Sequence, residues 1–129
     1  MIGYKAFNKN LITRNNVKFS LGQIYHVEGP IKVGPIGGNG FHFCLNFEDT
    51  FRFVNREGLS LCRIIALGEI SEEYEDKYYG YDKIFACSDM YIEKIYTREE
   101  IMEMAKQLTP PRLERFIQTY PMTLREALE

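Results

Sequence analysis

The sequence predicts an α+β fold: a small antiparallel or mixed sheet with one short inserted helix, followed by a C-terminal tail of three short amphipathic helices. Three observations support this. The length of 129 residues fits one domain, and 45% hydrophobic residues are enough to form its core. The first two-thirds of the chain consists of short apolar or alternating runs bounded by Gly, Pro and Asn, which is typical of strands. After Tyr96 the spacing of apolar residues becomes helical.

Three short strands are predicted in the first 45 residues. Residues 3–7 alternate aromatic and polar side chains, and residues 24–28 are rich in β-formers and end at a Gly-Pro turn. Residues 41–44 (Phe-His-Phe-Cys) follow a glycine-rich loop, GPIGGNG, at residues 34–40. Because side chains alternate along a strand, His42 and Cys44 share the face opposite the two phenylalanines.

A short helix is predicted next, from an N-cap at Asn46 to about Asn55. Glu48 and Asp49 would complement the helix dipole in its first turn, and Phe47, Phe51 and Val54 would form its buried stripe.

The most apolar run, residues 59–67 (LSLCRIIAL), predicts a central strand that is covered on both faces. Residues 68–82 carry six acids against one lysine and predict a solvated edge or excursion. This acidic stretch lacks the spacing of a calcium loop. Residues 83–87 and 90–96 predict two further strands, separated by Ser88-Asp89.

Three helices are predicted after Thr97. Thr97 with Glu100 forms a capping box, the prolines after Thr109 start the second helix, and Thr123 with Glu126 forms another box. A body of residues 1–96 and a tail of residues 97–129 therefore make one domain, with the tail docked on the body or on a partner. The apolar stripes either form core or bind a partner. The partner-binding candidates are Met102, Met104, Leu113, Phe116, Met122 and Leu124.

Charge is distributed unevenly along the chain. Residues 1–47 carry five bases and one acid, a charge of +4, whereas the remainder carries eleven bases and seventeen acids, a charge of −6. Such a field can orient the molecule toward an anionic partner or toward a second copy. The bases are spaced singly, so a solvated surface is favoured over a nucleic-acid face. The nucleic-acid candidates are Lys5, Lys9, Arg14, Lys18 and Lys32.

Cysteine usage and hydropathy indicate where the protein works. Cys44, Cys62 and Cys87 lie in or beside apolar runs with no zinc-like spacing, which predicts buried thiols in a reducing, intracellular setting. The sequence has neither an 18-residue apolar run nor a signal-like N-terminus, so we expect no membrane partner.

Two features of the sequence suggest a chemical site, and each also has a plainer interpretation. His42 and Cys44 suggest a Cys–His nucleophile or two metal ligands. However, same-face side chains two residues apart on a strand lie about 6–7 Å from each other. A buried thiol beside a hydrogen-bonded histidine is therefore favoured. The glycine-rich loop lacks the lysine and hydroxyl of a phosphate loop and is interpreted as a connection. We expect no metal and no cofactor.

Four strings of the sequence resemble a known family. They are GYKAFNKNL at residues 3–11, GQIYHVEG at 22–29, GFHFC at 40–44 and ALGEI at 66–70. In this order they resemble a small uncharacterised domain found in tailed phages and giant DNA viruses, over about residues 1–95. Relatives commonly carry Arg-Gly-Phe-Gln where this chain has Arg14-Asn15-Asn16-Val17. That family has no established activity, so the resemblance implies a viral accessory protein and no particular chemistry.

The leading hypothesis is a non-enzymatic viral accessory protein that binds another protein or itself, as a homodimer, in the host cytoplasm or nucleus. One alternative is an enzyme similar to ADP-ribosyltransferases. That enzyme would bind NAD with Tyr4 or His42 near the nicotinamide and Glu69 orienting the ribose. A second alternative is weak nucleic-acid binding through the basic residues named above.

Overall fold

A computed structural model describes residues 1–8, 11, 18–34, 38–51, 59–73 and 84–120 of the chain. The strands are β1 (Ile2–Phe7), β2 (Ile24–His26), β3 (Phe41–Cys44), β4 (Ser60–Glu73) and β5 (Ile84–Ile95). A 3-10 helix spans Phe47–Asp49, and two α-helices follow the sheet, α1 (Arg98–Ala105) and α2 (Pro110–Thr119).

The five strands pair only in antiparallel fashion and form a barrel-like sheet. Their order is β2-β5-β3-β1-β4, and β4 pairs with β5 as well, which closes a ring of β1, β3, β5 and β4. Strand β5 is the centre of this arrangement. One of its edges carries β4, and the other carries β3 and then β2 in succession. The predicted α+β class is confirmed, with a sheet that is antiparallel throughout the described strands.

The inside of the ring forms the main core. Ile64 pairs with Ile92 and Ala66 with Met90, so their side chains share the inner face of β4 and β5. Aromatic rings fill the rest of the interior, and the rings of Phe43 and Phe85 stack with centroids 5.4 Å apart. The alternation of side chains along each strand therefore places apolar residues throughout the interior of the ring.

The outer face of β1 and β4 is covered at one end by the two helices. Ala6 and Leu61 lie opposite each other in the register and pack against Ile101, Ala105 and Phe116. Phe116 also forms edge-to-face contacts with Phe47 and Phe51. The start of α1 is fixed by the predicted capping box, in which Thr97 and Glu100 bond each other's backbone N–H groups.

Two acid–base pairs attach α2 to the body. Glu48 and Asp49 of the 3-10 helix are almost fully buried. Both Oε atoms of Glu48 accept hydrogen bonds from the Arg112 guanidinium, and Asp49 forms an ion pair with Arg115 at 3.4 Å. Because buried carboxylates are costly unless they are paired, these contacts fix the position of α2.

Strands β4 and β5 are longer than the sequence predicted. The solvated edge expected after residue 67 is in fact strand to Glu73, and the two strands expected on either side of Ser88-Asp89 are one strand. A register irregularity between Leu67 and Ile70 explains both differences. It absorbs Gly68, whose φ of +72° suits glycine, and the pairing continues beyond it.

Two helix predictions change as well. The helix expected from Asn46 is a single 3-10 turn within the described residues, and the Asn46 side chain makes no cap bond. Glu48 and Asp49 bind arginines of α2, so they do more than complement a helix dipole. Residues 52–58 and the third helix expected from Thr123 lie outside the described residues.

Candidate functional site

The other end of the same outer sheet face is apolar and partly exposed to solvent. The register places Ile24 beside Tyr91, Tyr91 beside Ile65, and Ile65 beside Ile2, so one row of four side chains crosses β2, β5, β4 and β1. Ile24 is 64% exposed and Ile2 59% exposed. Leu67 is exposed on the same face of β4, two residues beyond Ile65. We call these five side chains the open face.

An ion pair separates the open face from the helix-covered end. Arg63, two residues before Ile65, donates from Nε to Glu93 Oε2 at 2.9 Å. Tyr4 lies opposite Arg63 in the register, and its ring lies 6.2 Å from the rings of Phe47 and Tyr96. The outer face thus passes from covered apolar residues, through this polar boundary, to the open face, where Ile2, Ile24 and Leu67 are exposed and Ile65 and Tyr91 are half-buried.

The opposite border of the open face carries His26 between two carboxylates. Nδ1 of His26 lies 2.8 Å from Asp89 Oδ1, and Nε2 lies 2.8 Å from Glu28 Oε1. Carboxylates only accept hydrogen bonds, so the geometry fits an imidazolium that donates at both nitrogens. Hydrogen bonds to Asp89 and Glu28 raise the pKa of His26. This cluster was missed in the sequence because only the pairing of β2 with β5 brings His26 to Asp89.

Ser88 joins this cluster to β4. Its hydroxyl donates to Asp89 Oδ2 at 2.6 Å and accepts the backbone N–H of Glu69 at 2.9 Å. Hydrogen bonds from Ser88 and then His26 lower the pKa of Asp89. The order is serine, aspartate, histidine, so the histidine does not contact the serine as it would in a hydrolytic triad.

His42 anchors the glycine-rich loop. Its Nε2 accepts the backbone N–H of Gly34 at 3.1 Å, and its Nδ1 donates to the Gly40 carbonyl at 3.2 Å. Burial, and then the nearby charge of Lys5, lower the pKa of His42. An Nε2 that accepts and an Nδ1 that donates fit a neutral ring, and both nitrogens are bonded to the loop. Gly40 has a φ of +125°, and a Cβ there would lie 3.0 Å from the Cys87 carbonyl oxygen.

The three cysteines of the chain are all among the described residues, and all are buried with no disulfide between them. Burial raises the pKa of Cys62 to about 12 and that of Cys87 to about 11. A reactive thiol needs the opposite conditions, a lowered pKa and access to solvent. Among the described residues, no group of three His, Cys, Asp or Glu side chains is arranged to hold a metal ion.

The residues proposed for an NAD site are engaged in separate contacts. Tyr4 packs beneath the helix-covered end, and His42 bonds the loop. The Glu69 carboxylate accepts the backbone N–H of Ile31 at 3.2 Å. None of these contacts links any two of the three side chains.

Three of the five basic candidates for nucleic-acid binding lie among the described residues. Lys18 and Lys32 are exposed. The Lys5 ammonium donates to the His42 carbonyl at 2.7 Å and lies 5.5 Å from the centroid of the Phe7 ring. Lys9 and Arg14 lie outside the described residues.

The helical residues proposed to bind a partner pack within the chain itself. Phe116 is 1% exposed, so a partner cannot contact it while α2 is in place. Met102, Met104 and Leu113 are partly buried against the same cluster. Met122 and Leu124 lie outside the described residues. The buried sides of α1 and α2 are therefore occupied. Exposed apolar side chains are found on the sheet, at Ile2, Ile24 and Leu67, and also outside the strands, at Leu21, Leu45 and Ile117.

Comparisons with known proteins assign a family without an activity. The model of a domain of unknown function, DUF7666, matches residues 1–104, and the chain belongs to that family. No curated protein and no solved structure matches the chain. Within the described residues, neither α-helix is long and apolar enough to cross a membrane.

Proposed function

We propose that this DUF7666 domain is a non-enzymatic binding protein, and that it acts through a protein–protein interaction at the open face. The observation that carries the proposal is the row Ile24–Tyr91–Ile65–Ile2. It lies on the same sheet face as the apolar residues that the chain covers with its own helices, beyond the Arg63–Glu93 ion pair. Contiguous exposed apolar patches mark interaction sites more often than scattered exposed residues do.

The chemistry of the other candidates supports a binding role. Both nitrogens of His42 are bonded to backbone groups, and burial disfavours the thiolates of Cys62 and Cys87. The Asp89–His26 pair lies on an exposed border of the sheet, with a carboxylate at each ring nitrogen. General acid–base catalysis works best in a site that excludes water and positions a substrate.

The resemblance to domains of tailed phages and giant DNA viruses supports a viral setting. We therefore propose an accessory protein that works inside the infected cell. Three buried cysteines with no disulfide between them suit a reducing compartment.

Site-directed photo-crosslinking tests the proposal. A photo-reactive amino acid replaces Ile24 on the open face in one variant, and the exposed Ile117 of α2 in a matched control. Irradiation in the cells that naturally make the protein should give a discrete crosslinked product from position 24 and none from position 117. Absence of a product at position 24, or equal products at both positions, would overturn the proposal.

A further inference from the structure

We infer that His42 is an acid-sensitive anchor of the glycine-rich loop, which holds Val33 and Gly34 on the sheet and releases them when its ring gains a proton. The direction of the hydrogen bonds at the two ring nitrogens of His42 carries the inference. This anchor is separate from the open face, and it does not depend on the binding role proposed there.

The two partners of the His42 ring determine where its single proton lies. The backbone N–H of Gly34 only donates, so Nε2 accepts it at 3.1 Å, and the Gly40 carbonyl only accepts, so Nδ1 donates to it at 3.2 Å. A second proton would bind Nε2 and would point at the N–H group of Gly34. Because an imidazolium cannot accept a hydrogen bond, protonation breaks the bond to Gly34 and keeps the bond to Gly40.

The bond to Gly34 keeps an apolar neighbour in place. Val33 precedes Gly34, is only 7% exposed, and belongs to a small buried cluster that also contains Ile31, Ile84 and Ala86. Ala86 lies opposite His42 in the register of β3 and β5, so this cluster is next to the strand position that carries the imidazole. Loss of the Gly34 bond therefore weakens the attachment of Val33, and a released Val33 exposes apolar surface to water.

The base of the loop is held by contacts that a proton on His42 does not change. Lys32 and Asn39 exchange two backbone hydrogen bonds, at 2.9 and 2.8 Å. The side-chain amide of Asn39 also donates to two carbonyl groups at the start of the loop. Backbone and amide groups carry no titratable proton in the physiological range. Acid should therefore release Val33 and Gly34 while the Lys32–Asn39 bridge stays formed.

The start of the loop also stays attached at mildly acidic pH. The backbone N–H of Val27 donates to a carbonyl of β5 at 2.9 Å. His26 lies between Asp89 and Glu28, and acid favours its imidazolium form, which donates to both carboxylates. A proton therefore supports the contacts of His26 at one end of the loop and breaks the Nε2 bond of His42 at the other end.

Charged groups of β1 and β4 act on the same loop. The Lys5 ammonium of β1 donates to the His42 carbonyl at 2.7 Å, and its charge opposes a second positive charge on the ring. Burial, and then this charge, lower the pKa of His42, so the Gly34 bond stays formed at neutral pH. The Glu69 carboxylate of β4 accepts the backbone N–H of Ile31 at 3.2 Å. Glu69 is thus a second titratable contact of the loop, and the test must separate it from His42.

NMR spectroscopy between about pH 7.5 and about pH 4.5 tests the anchor. As the His42 ring titrates, the protection factor of the Gly34 amide against hydrogen exchange should fall about tenfold or more, with the same midpoint. The methyl NOEs from Val33 to Ile84 should weaken in step. The Lys32 amide should keep its protection, because the base of the loop remains attached.

Two substitutions separate His42 from Glu69. His42→Gln replaces the ring by an amide that does not titrate, so the protection factor of Gly34 should no longer depend on the pH. The matched control is Glu69→Gln, in which the amide oxygen can still accept the Ile31 N–H. This control should lose Gly34 protection at the same midpoint as the wild type. Thermal unfolding at about pH 7.5 checks that both variants are folded.

A third substitution leaves His42 itself unchanged. Lys5→Gln removes the positive charge beside the ring and keeps an N–H donor for the His42 carbonyl. The midpoint for loss of Gly34 protection should therefore move to higher pH, together with the titration of the His42 ring. A purely structural role of His42 would not produce this coupled shift.

Four results would overturn the anchor. They are a Gly34 amide that stays protected while His42 titrates, loss of Lys32 protection at the same pH, a wild-type response in His42→Gln, and no response in Glu69→Gln. The crosslinking result at position 24 is independent of all four, so the binding role proposed for the open face stands or falls separately.

Discussion

The two ends of the outer sheet face are built from similar residues and end in different environments. At one end Ala6 and Leu61 lie beneath α1 and α2, and buried pairs such as Glu48–Arg112 secure the helices. At the other end Ile24 and Ile2 face solvent. The difference shows that strand alternation alone makes both ends apolar, and that the helices decide which end becomes core.

Removing a side chain from the covered end should have the largest effect on stability. Phe116→Ala deletes a ring that contacts Phe47 and Phe51 with almost no exposure. We expect the free energy of unfolding to fall by about 3–5 kcal/mol, measured by urea denaturation. The control is the adjacent exposed residue. Ile117→Ala should change the free energy of unfolding by less than about 0.5 kcal/mol. Similar losses in both variants would contradict the assignment of Phe116 to the core.

Breaking the ionic attachment of α2 should rank second. Arg112→Ala leaves the fully buried Glu48 carboxylate without its guanidinium. The expected loss is about 2–3 kcal/mol, below that of a wholly buried pair because Arg112 is partly exposed. Lys106→Ala removes one partner of an exposed pair with Glu103 and should cost less than about 0.5 kcal/mol. Equal denaturation curves for these two variants would show that the burial of Glu48 does not increase the stability lost when its arginine is removed.

A substitution at the bend of β4 tests the border of the open face. In Gly68→Ala the new Cβ would overlap Ser88 Oγ and Asp89 Oδ2, at a φ of +72°. We expect a loss of about 1–3 kcal/mol, together with shifts in the NMR signals of His26. Gly22→Ala has a φ of +79° but no atom within 4 Å of its Cβ, so it measures backbone strain alone and should cost less.

The pKa values of the two histidines should be shifted in opposite directions from the ordinary value. His26 borders the open face between two carboxylates, whereas His42 is buried and holds a loop. NMR should give His26 a pKa above 6.5 and His42 a pKa below it. The stabilising contribution of His26 is fully present below its unfolded-state pKa and is lost as the pH rises through its raised pKa. That of His42 is present above its unfolded-state pKa and is lost as the pH falls through its lowered pKa. His26→Gln and His42→Gln should each remove one of these trends from the pH dependence of urea unfolding.

The smallest effect on stability belongs to the open face itself. Ile24→Ala should change the free energy of unfolding by less than about 0.5 kcal/mol, because the side chain is mostly exposed. Thermal and urea unfolding of a dilute sample measure this directly. A loss as large as that of Phe116→Ala would show that another part of the chain covers the face.

The parts of the fold that depend on local signals could be predicted from the sequence. The bounds of β3 follow from the loop before it, and the start of α1 follows from Thr97 and Glu100. The unbroken course of β5 through Ser88 and Asp89 could not be predicted, because polar residues indicate a break unless the partner strand is known. Long-range pairing overrides such local signals.

The candidate site was hidden from the sequence for the same reason. Each strand contributes one residue to the row, so no continuous stretch of the sequence contains it. The helical stripes were visible as apolar surfaces, but a stripe cannot show whether its partner is another chain or the body that precedes it.

The closed ring of strands has a consequence for how the protein is made. Strand β1 pairs with β4 and β3, and the ring closes only through β5. In a nascent chain on the ribosome, the first strands therefore cannot complete the ring until Ile95, the last residue of β5, has left the exit tunnel. Such distant pairing is slow, so folding should take milliseconds to seconds and follow synthesis of the last strand.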